Sequence, residues 1–364
     1  MYSKLKFIIV ILLAMLMVPD EAYGQRRNKY QRQRLKSKKV GNYRGGKRLG
    51  GTGRFRPYHF VGAGINAFNY FGDLAPVSRT ASTDITFTRP GGGLLYGYRF
   101  HPAMAARAGI SAGYLRGDDF SADPNDENSA PRYARNLSFR NFIKELTLGI
   151  EFYVIPNYRG PSLRPPLNAY IFLGVTGFHH QPQGFVPDQD YQTIGGGPAP
   201  QAGEWVNLKP LGTEGQNIEG VGDGEDYSLW QIAVPLGIGG EIVLPGNLTL
   251  GLELGYRYVF TDYLDDVSTT YVGLDRFDDP LARILSDRGA EPIAAVSGES
   301  RGDINIVNGT FSDPAVTYNI NGFVGSGTDG SKRGNPDDRD LYFTTQIRVT
   351  YILGARPRST AKFR

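Results

Sequence analysis

From Asn247 to Phe260 the chain reads NLTLGLELGYRYVF, and nearly every second residue is large and apolar. Leu248, Leu250, Leu252, Leu254, Tyr256, Tyr258 and Phe260 share one side, while Thr249, Gly251, Glu253, Gly255, Arg257 and Val259 share the other. A period of two marks a β-strand with one apolar face. Strands in soluble proteins run about 5–6 residues, so this one is unusually long. A tilted strand needs about 9–11 residues to cross a bilayer. A long apolar face backed by glycine and charge suits such a crossing, with the second face lining a closed interior.

The same rhythm recurs at 58–70, 92–100, 103–116, 140–155, 168–179, 228–244 and 341–353, an even set with 247–260. The gaps alternate in length. His101-Pro102, PNYRGPSLRPPL at 156–167 and Pro245-Gly246 are short; 71–91, 117–139, 180–227 and 261–340 are long. Outer-membrane barrels have this asymmetry, with short periplasmic turns and long external loops. The expectation is an all-β fold over 58–354: an eight-stranded antiparallel transmembrane barrel of the outer-membrane type. Both termini then lie in the periplasm. A soluble two-sheet sandwich is the competing arrangement, and it would turn the glycine and charge towards water.

The faces sort for the membrane. Outward rows are Met104, Ala106, Ala108, Ile110 and Tyr114; Leu146, Leu148, Ile150 and Phe152; Trp230, Ile232, Val234, Leu236 and Ile238; and Phe343, Ile347, Val349 and Tyr351. Strands 58–70 and 168–179 show no clearly polar face. The inward rows hold Arg99, Arg107, Arg257 and Arg348 against Glu145, Glu151, Glu241 and Glu253. A barrel of about eight strands is just wide enough for its side chains to fill, and an unpaired charge there is costly. The expectation is a paired charge network that plugs the barrel. Gly97, Gly109, Gly113, Gly149, Gly251 and Gly255 would leave room for the long partners.

At the start of the chain, Lys4 and Lys6 precede an apolar run from Phe7 to Val18 and then Ala22-Tyr23-Gly24. That is the three-part pattern of a secretory signal peptide over 1–24, and the run is too short for a membrane helix. There is no cysteine, so disulfides contribute nothing. Residues 26–56 carry 13 Lys or Arg and no acid, whereas 57–364 carry 25 Lys or Arg against 34 Asp or Glu. The basic segment, taken with its neighbours as 25–57, is too polar to bury a core and reads as a disordered periplasmic tether. Nucleic acid is not an expected partner of an exported chain, nor is a small-molecule substrate. A second basic tail follows at 355–364.

Chemistry is sparse. Of four histidines, His179-His180 lie next to each other on one strand end, where neighbours face opposite ways, and read as a surface pair without a shared metal. Ser228, His179 and Asp262 have no spacing that demands a triad. The acidic loops DDFSADPNDEN, FTDYLDDVS and NPDDRD lack regular calcium-loop spacing and read as solvated turns. Arg301-Gly302-Asp303 is a weak tripeptide signal. No catalytic residue, cofactor or metal is expected, and the chain reads as a non-enzyme.

The loops carry more specific marks: NYFGDLAP at 69–76, RNLSFR at 135–140, LKPLGTEGQN at 208–217, TDYLDDVSTTY at 261–271 and RGNPDDRDLYFTTQIRVTYIL at 333–353. Together they resemble the PorG-type outer-membrane barrel of the type IX secretion system, over roughly 58–353. The motif residues Gly72, Asp73, Thr213, Glu214, Gly215, Asp262, Tyr263, Asp265 and Asp266 belong to this set. The resemblance implies a barrel in outer-membrane lipid that is linked to a periplasmic ring of PorK and PorN proteins. That machinery exports cargo with a C-terminal sorting domain, often alongside gliding motility. The basic segment 26–56 departs from the family pattern. Periplasmic docking would fall to Arg159 and Arg164 in the turn 156–167 and to Arg356 and Arg358 in the tail. The alternative is a general barrel for small-solute transport or surface adhesion. Sequence alone leaves open whether loop 261–340 caps the barrel.

Overall fold

A computed structural model of the protein describes residues 55–75, 87–124, 129–191, 197–221, 226–289, 291–301, 305–307, 310–312, 317–319, 329–337 and 339–354. The segment 1–24 expected to be a signal peptide, the basic segment up to Arg54 and the tail with Arg356 and Arg358 lie outside these residues. Eight long strands form the wall: β1 Tyr58–Phe71, β2 Arg89–His101, β3 Met104–Asp118, β4 Ser138–Tyr153, β5 Leu167–His179, β8 Trp230–Val243, β9 Leu248–Val259 and β13 Leu341–Ile352. Between them lie short strands β6 Pro182–Phe185, β7 Trp205–Asn207, β10 Asn305–Val307, β11 Thr310–Ser312 and β12 Thr317–Asn319, and helices α1 Ala130–Arg135 and α2 Pro280–Ser286.

Every wall strand pairs antiparallel with two others. The order runs β3-β2-β1-β13-β9-β8-β5-β4, and the β3–β4 pairing closes the ring. Each β-strand expected from period two is present, with ends shifted by up to three residues. β2 starts at Arg89 rather than at 92, because Gly91, Gly92 and Gly93 stay in register with Gly113, Ala112 and Ser111 of β3.

The alternation decides the rest. On β9, Leu248 to Tyr258 in steps of two face outward, and Thr249 to Val259 face a closed interior. Large apolar side chains cover the outer surface, with Ile65 68 % and Trp230 72 % exposed. Exposed apolar surface on that scale fits lipid, not water. Strands β1 and β5, whose faces the sequence leaves undecided, turn Tyr58, Phe60, Phe68 and Tyr70, and Tyr170, Phe172 and Phe178, inward.

The interior is stacked in tiers. At the short-turn end Tyr58, Phe60, Leu95, Ala105, Tyr153, Tyr170, Phe172 and Ile352 pack together. Phe55, just ahead of β1, packs against them. At the long-loop end Phe68, Tyr70, Leu115, Phe139, Ile143, Phe178 and Tyr342 pack with Leu264 and Val267 of the loop after β9. That loop therefore caps the barrel. A satellite core of Val186, Ala199, Leu208, Leu281, Ile284 and Leu285 joins α2 to the loop between β5 and β8. Helix α2 starts at Pro280, and the Asp279 side chain accepts from the Leu281 N–H, an N-cap that answers one otherwise unpaired donor.

Of the glycines expected to make room for charged partners, Gly251 and Gly255 do so, lying against Arg348 and Arg257, whereas Gly97, Gly113 and Gly149 make room for aromatic rings. A Cβ on Gly97 would lie 2.0 Å from the Phe60 ring, one on Gly113 2.4 Å from Phe68, and one on Gly239 2.2 Å from Tyr170. Replacing Gly97 by Ala should destabilise the barrel by about 1–3 kcal/mol, the usual cost of overpacking. Gly177→Ala, whose Cβ meets nothing within 4 Å, should leave the urea midpoint of the detergent-folded protein unchanged.

Candidate functional site

Two regions concentrate charge: the middle of the barrel and the cap above its long-loop end. In the barrel, Arg107 on β3 donates to Glu253 on β9 at 2.6 and 2.9 Å and to Glu151 on β4 at 2.8 Å. Arg348 on β13 donates to Glu151 at 2.8 Å and approaches Glu253 at 3.6 Å. The hydroxyls of Tyr153 and Tyr170 complete the carboxylates, donating to Glu151 at 2.6 Å and Glu253 at 2.7 Å. The Arg107 guanidinium also lies 3.7 Å over the Phe172 ring. Four strands are thus tied across the lumen by one quartet. Nearer the loops, Glu145 accepts from Ser111 at 2.5 Å and from Tyr342, and lies 3.4 Å from the Arg257 Nε.

Six of the eight expected interior charges form such pairs, and two do not. Arg99 donates to the Pro102 carbonyl at 2.6 Å and to the Tyr58 hydroxyl at 3.4 Å, with its guanidinium 3.7 Å over the Tyr153 ring. Glu241 is half-buried near the short-turn mouth and has no ion pair among the described residues. At the mouth a carbonyl, a hydroxyl and a ring stand where Arg99 would otherwise meet a carboxylate. A cavity of about 40 Å³ remains between Arg107, Arg257, Asn66, Ser111, Thr147 and Gln346. It has room for a few waters.

The cap gathers the loop motifs into one buried network. The Tyr70 hydroxyl lies 2.7 Å from Asp265 and 2.6 Å from Asp340. Asp340 also accepts from the Leu264 N–H at 2.8 Å, and Asp265 from the Val267 N–H at 3.0 Å. Gly72 sits against this pair, where a Cβ would fall 1.9 Å from Asp340 and 2.1 Å from the Tyr70 hydroxyl. No side chain fits there. Asp73 accepts from the Asn335 N–H at 2.7 Å. Asp266 holds a left-handed φ of 68° and accepts from Thr213 and Tyr227, both at 2.6 Å. Tyr263 stacks on Tyr227 at 4.6 Å.

Glu214 accepts from the Ser268 N–H at 2.9 Å and the Thr269 hydroxyl at 2.7 Å. It also meets Arg333 at 3.0 Å, and Arg333 donates onward to the Asp266 and Ser286 carbonyls. Gly215, at a φ of 78°, packs where a Cβ would press on Val272 at 2.8 Å. Arg135 forks onto Asp119 at 2.6 and 2.8 Å and reaches the carbonyls of Arg333 and Asp73. The motif residues Gly72, Asp73, Thr213, Glu214, Gly215, Tyr263, Asp265 and Asp266 thus join or pack against one assembly. Asp262 lies near Asp73 and Asp265, with both carboxyl oxygens buried and without a hydrogen-bond partner among the described residues.

This overturns the reading of FTDYLDDVS as a solvated turn: Asp265 and Asp266 are 1 % and 0 % exposed. Burial dominates their protonation. It pushes Asp266 up to about 6, against the pull of Arg333, and Asp262 up to about 9, with Asp73 and Asp265 adding repulsion. Asp265 and Asp340 are raised as well, again mainly by burial. The geometry demands the same. A tyrosine hydroxyl owns one proton, so two carboxyls at hydrogen-bond distance from Tyr70 require that one of them carry a proton.

His180 is buried rather than on the surface. Its ring lies between Asn141 at 3.3 Å and the Ser228 carbonyl at 3.1 Å, and burial lowers its pKa to about 4. His179 faces outward against Trp230. Arg301 of the RGD tripeptide is buried in a cage of carbonyls from Tyr133, Ala134, Gly289 and Glu291. Sequence reasoning missed Arg135, Arg333, Asp340, Arg288 and Glu291 as structural charges. The motif segments that contain the first three were the available signal. At the short-turn end Arg164 contacts Thr249 and the Leu248 carbonyl, whereas Arg159 is exposed.

Residues 56–194 match a family model described as Domain of unknown function (DUF6089). No curated protein matches the chain. Among solved structures it is similar to the attachment invasion locus protein Ail of Yersinia pestis in complex with sucrose octasulfate. That match has a TM-score of 0.31 and 8 % identity, and covers 82 % of this chain and 99 % of that one. It is also similar to OprG from Pseudomonas aeruginosa, with a TM-score of 0.32, 9 % identity, and 84 % and 99 % coverage. Neisserial surface protein A gives 0.31, 8 %, 80 % and 96 %.

Because the folded cap holds protons more tightly than an open chain, whose Asp groups titrate near 4, its stability falls as pH rises. Hydrogen-exchange protection of 261–272 should decline from about pH 4 upward, less steeply above about pH 6, where Asp266 is ionised in the folded cap as well, and Asp262→Asn should lessen the decline that continues towards about pH 9. Arg333→Met strands Glu214 without its counter-charge. It should destabilise the cap by about 3–5 kcal/mol, read as lost protection there while the barrel keeps its heat-dependent gel shift.

Proposed function

We propose that this chain is a non-enzymatic outer-membrane barrel of the type IX protein secretion machinery, anchoring or docking a periplasmic ring of PorK/PorN type. On this reading the long loops face outside and both termini lie in the periplasm. The observation that carries it is the assembly of the motif loops: the segments that resemble the PorG type form one continuous buried network rather than scattered matches. The sealed lumen supports an anchor over a channel, because paired charges and two aromatic tiers fill it. The short-turn end presents Tyr158, 62 % exposed, and Leu163, 40 % exposed, beside exposed Arg159. Aromatic, apolar and arginine side chains together make a serviceable contact patch, and its charge would orient an acidic partner.

Deleting the gene should abolish secretion of sorting-domain cargo and trap it in the periplasm, with rescue by the wild-type gene. Normal secretion in the deletion strain refutes the role. Tyr158→Glu with Leu163→Glu should reduce co-purification of ring proteins without changing the folded barrel, and the purified wild type should pass no measurable ion current in a planar bilayer.

A further inference from the structure

The girdle at the long-loop boundary is not uniform. On the β1–β13–β9 flank it is mainly aromatic: Phe71 meets Phe343 at 5.0 Å, Phe343 meets Tyr256 at 5.1 Å, and Tyr258 meets Phe260 at 5.3 Å. There the cation Arg339 donates to the Tyr258 hydroxyl at 3.3 Å. On the β3–β4 flank cations interrupt it. Arg116 and Arg140 stand directly opposite each other in the ladder, one step beyond the Tyr114–Phe142 pair and two beyond Ala112–Lys144. Like charges placed directly opposite on one face destabilise a strand pair, so this arrangement requires a compensating partner.

The protein itself compensates little. Arg116 meets Asp118 only at 3.4 Å, and its Nε has no hydrogen-bond partner among the described residues. Arg140 uses its Nε on Gln183 at 2.8 Å and lies 4.4 Å over the Trp205 ring. Its two terminal nitrogens have no partner among the described residues. The Lys144 ammonium sits 5.5 Å from the Phe142 ring centroid. Arg89 of β2 is near enough to repel Arg116. Directly below lie exposed Ile110, Leu146 and Leu148.

We propose that this flank binds the phosphorylated head group of an outer-leaflet glycolipid of the lipid A class, with its acyl chains along Ile110, Leu146 and Leu148. Arg116 and Arg140 grip the phosphate with charge-assisted hydrogen bonds, Lys144 supplies a further positive charge, and Trp205 and Phe142 frame the site. The assignment to the outer leaflet rests on the orientation proposed above; the phosphate chemistry does not.

The test uses the full-length protein in detergent micelles, with phosphorylated and dephosphorylated lipid A as probes and native mass spectrometry as the readout. The wild type should retain the phosphorylated form at least about tenfold better, the loss expected when a charge-assisted contact is removed. Arg116→Gln with Arg140→Gln should erase that preference while keeping the gel shift of a folded barrel. Equal retention of the two lipids by the wild type overturns the proposal, as does an undiminished preference in the folded double variant. Orientation is read separately: Ala202→Cys, the only thiol in the chain, should react with an impermeant maleimide on intact cells. Failure to label it overturns the outer-leaflet assignment whatever the micelle result.

Discussion

Inside hydrocarbon no water answers a bare N–H or C=O, so every backbone group of the wall must be paired within the wall. The β1–β13 and β3–β4 pairings meet that demand by leaving no wall strand with a free edge. Closure with this few strands then leaves a lumen only as wide as its side chains. From there the interior has little freedom. Alternate residues must enter it, they must fill it, and any charge among them must find a partner.

The Arg107–Glu151–Glu253–Arg348 quartet satisfies that requirement, and it does so across four strands. Buried ion pairs contribute little net stability compared with apolar packing. Their value here lies in register. A slip of one residue on β3 or β13 would turn Arg107 or Arg348 towards lipid and leave the two carboxylates sharing a single arginine in the lumen. The aromatic tiers above and below work with the quartet, since Phe60, Phe68 and Tyr170 fill space that Gly97, Gly113 and Gly239 leave open. The seal continues upward, where Leu264 and Val267 seat the acidic cap on the last interior layer.

Much of this was legible because a membrane strand writes its geometry at period two. The wall strands, the inward charges and the alternation of short and long connections followed from spacing alone. Where spacing ended, the reading failed in a physical way. Acidic residues in a loop of no fixed period look solvated, yet Asp265 and Asp266 are buried because Tyr70 from the end of β1 and Thr213 and Tyr227 from the loop before β8 converge on them, and the Val267 N–H closes on Asp265. His180 was misjudged and the burial of Arg301 went unseen for the same reason, since their partners are carbonyls and amides that any sequence possesses. Arg99 and Glu241 were expected to join the network, but they stand at the barrel mouth.

The sequence by itself determined the wall: which residues face lipid, which enter the lumen, how many strands there are and which end bears the long loops. These are local properties, repeated every second residue along each strand. Tertiary structure alone decided which charges pair, which glycines accommodate rings and which arginines, that the loop after β9 seals the barrel, and that Arg116 and Arg140 are left facing each other outside it. Each of these depends on strands and loops far apart in the chain meeting at one height, and that height is set by the register of the closed sheet.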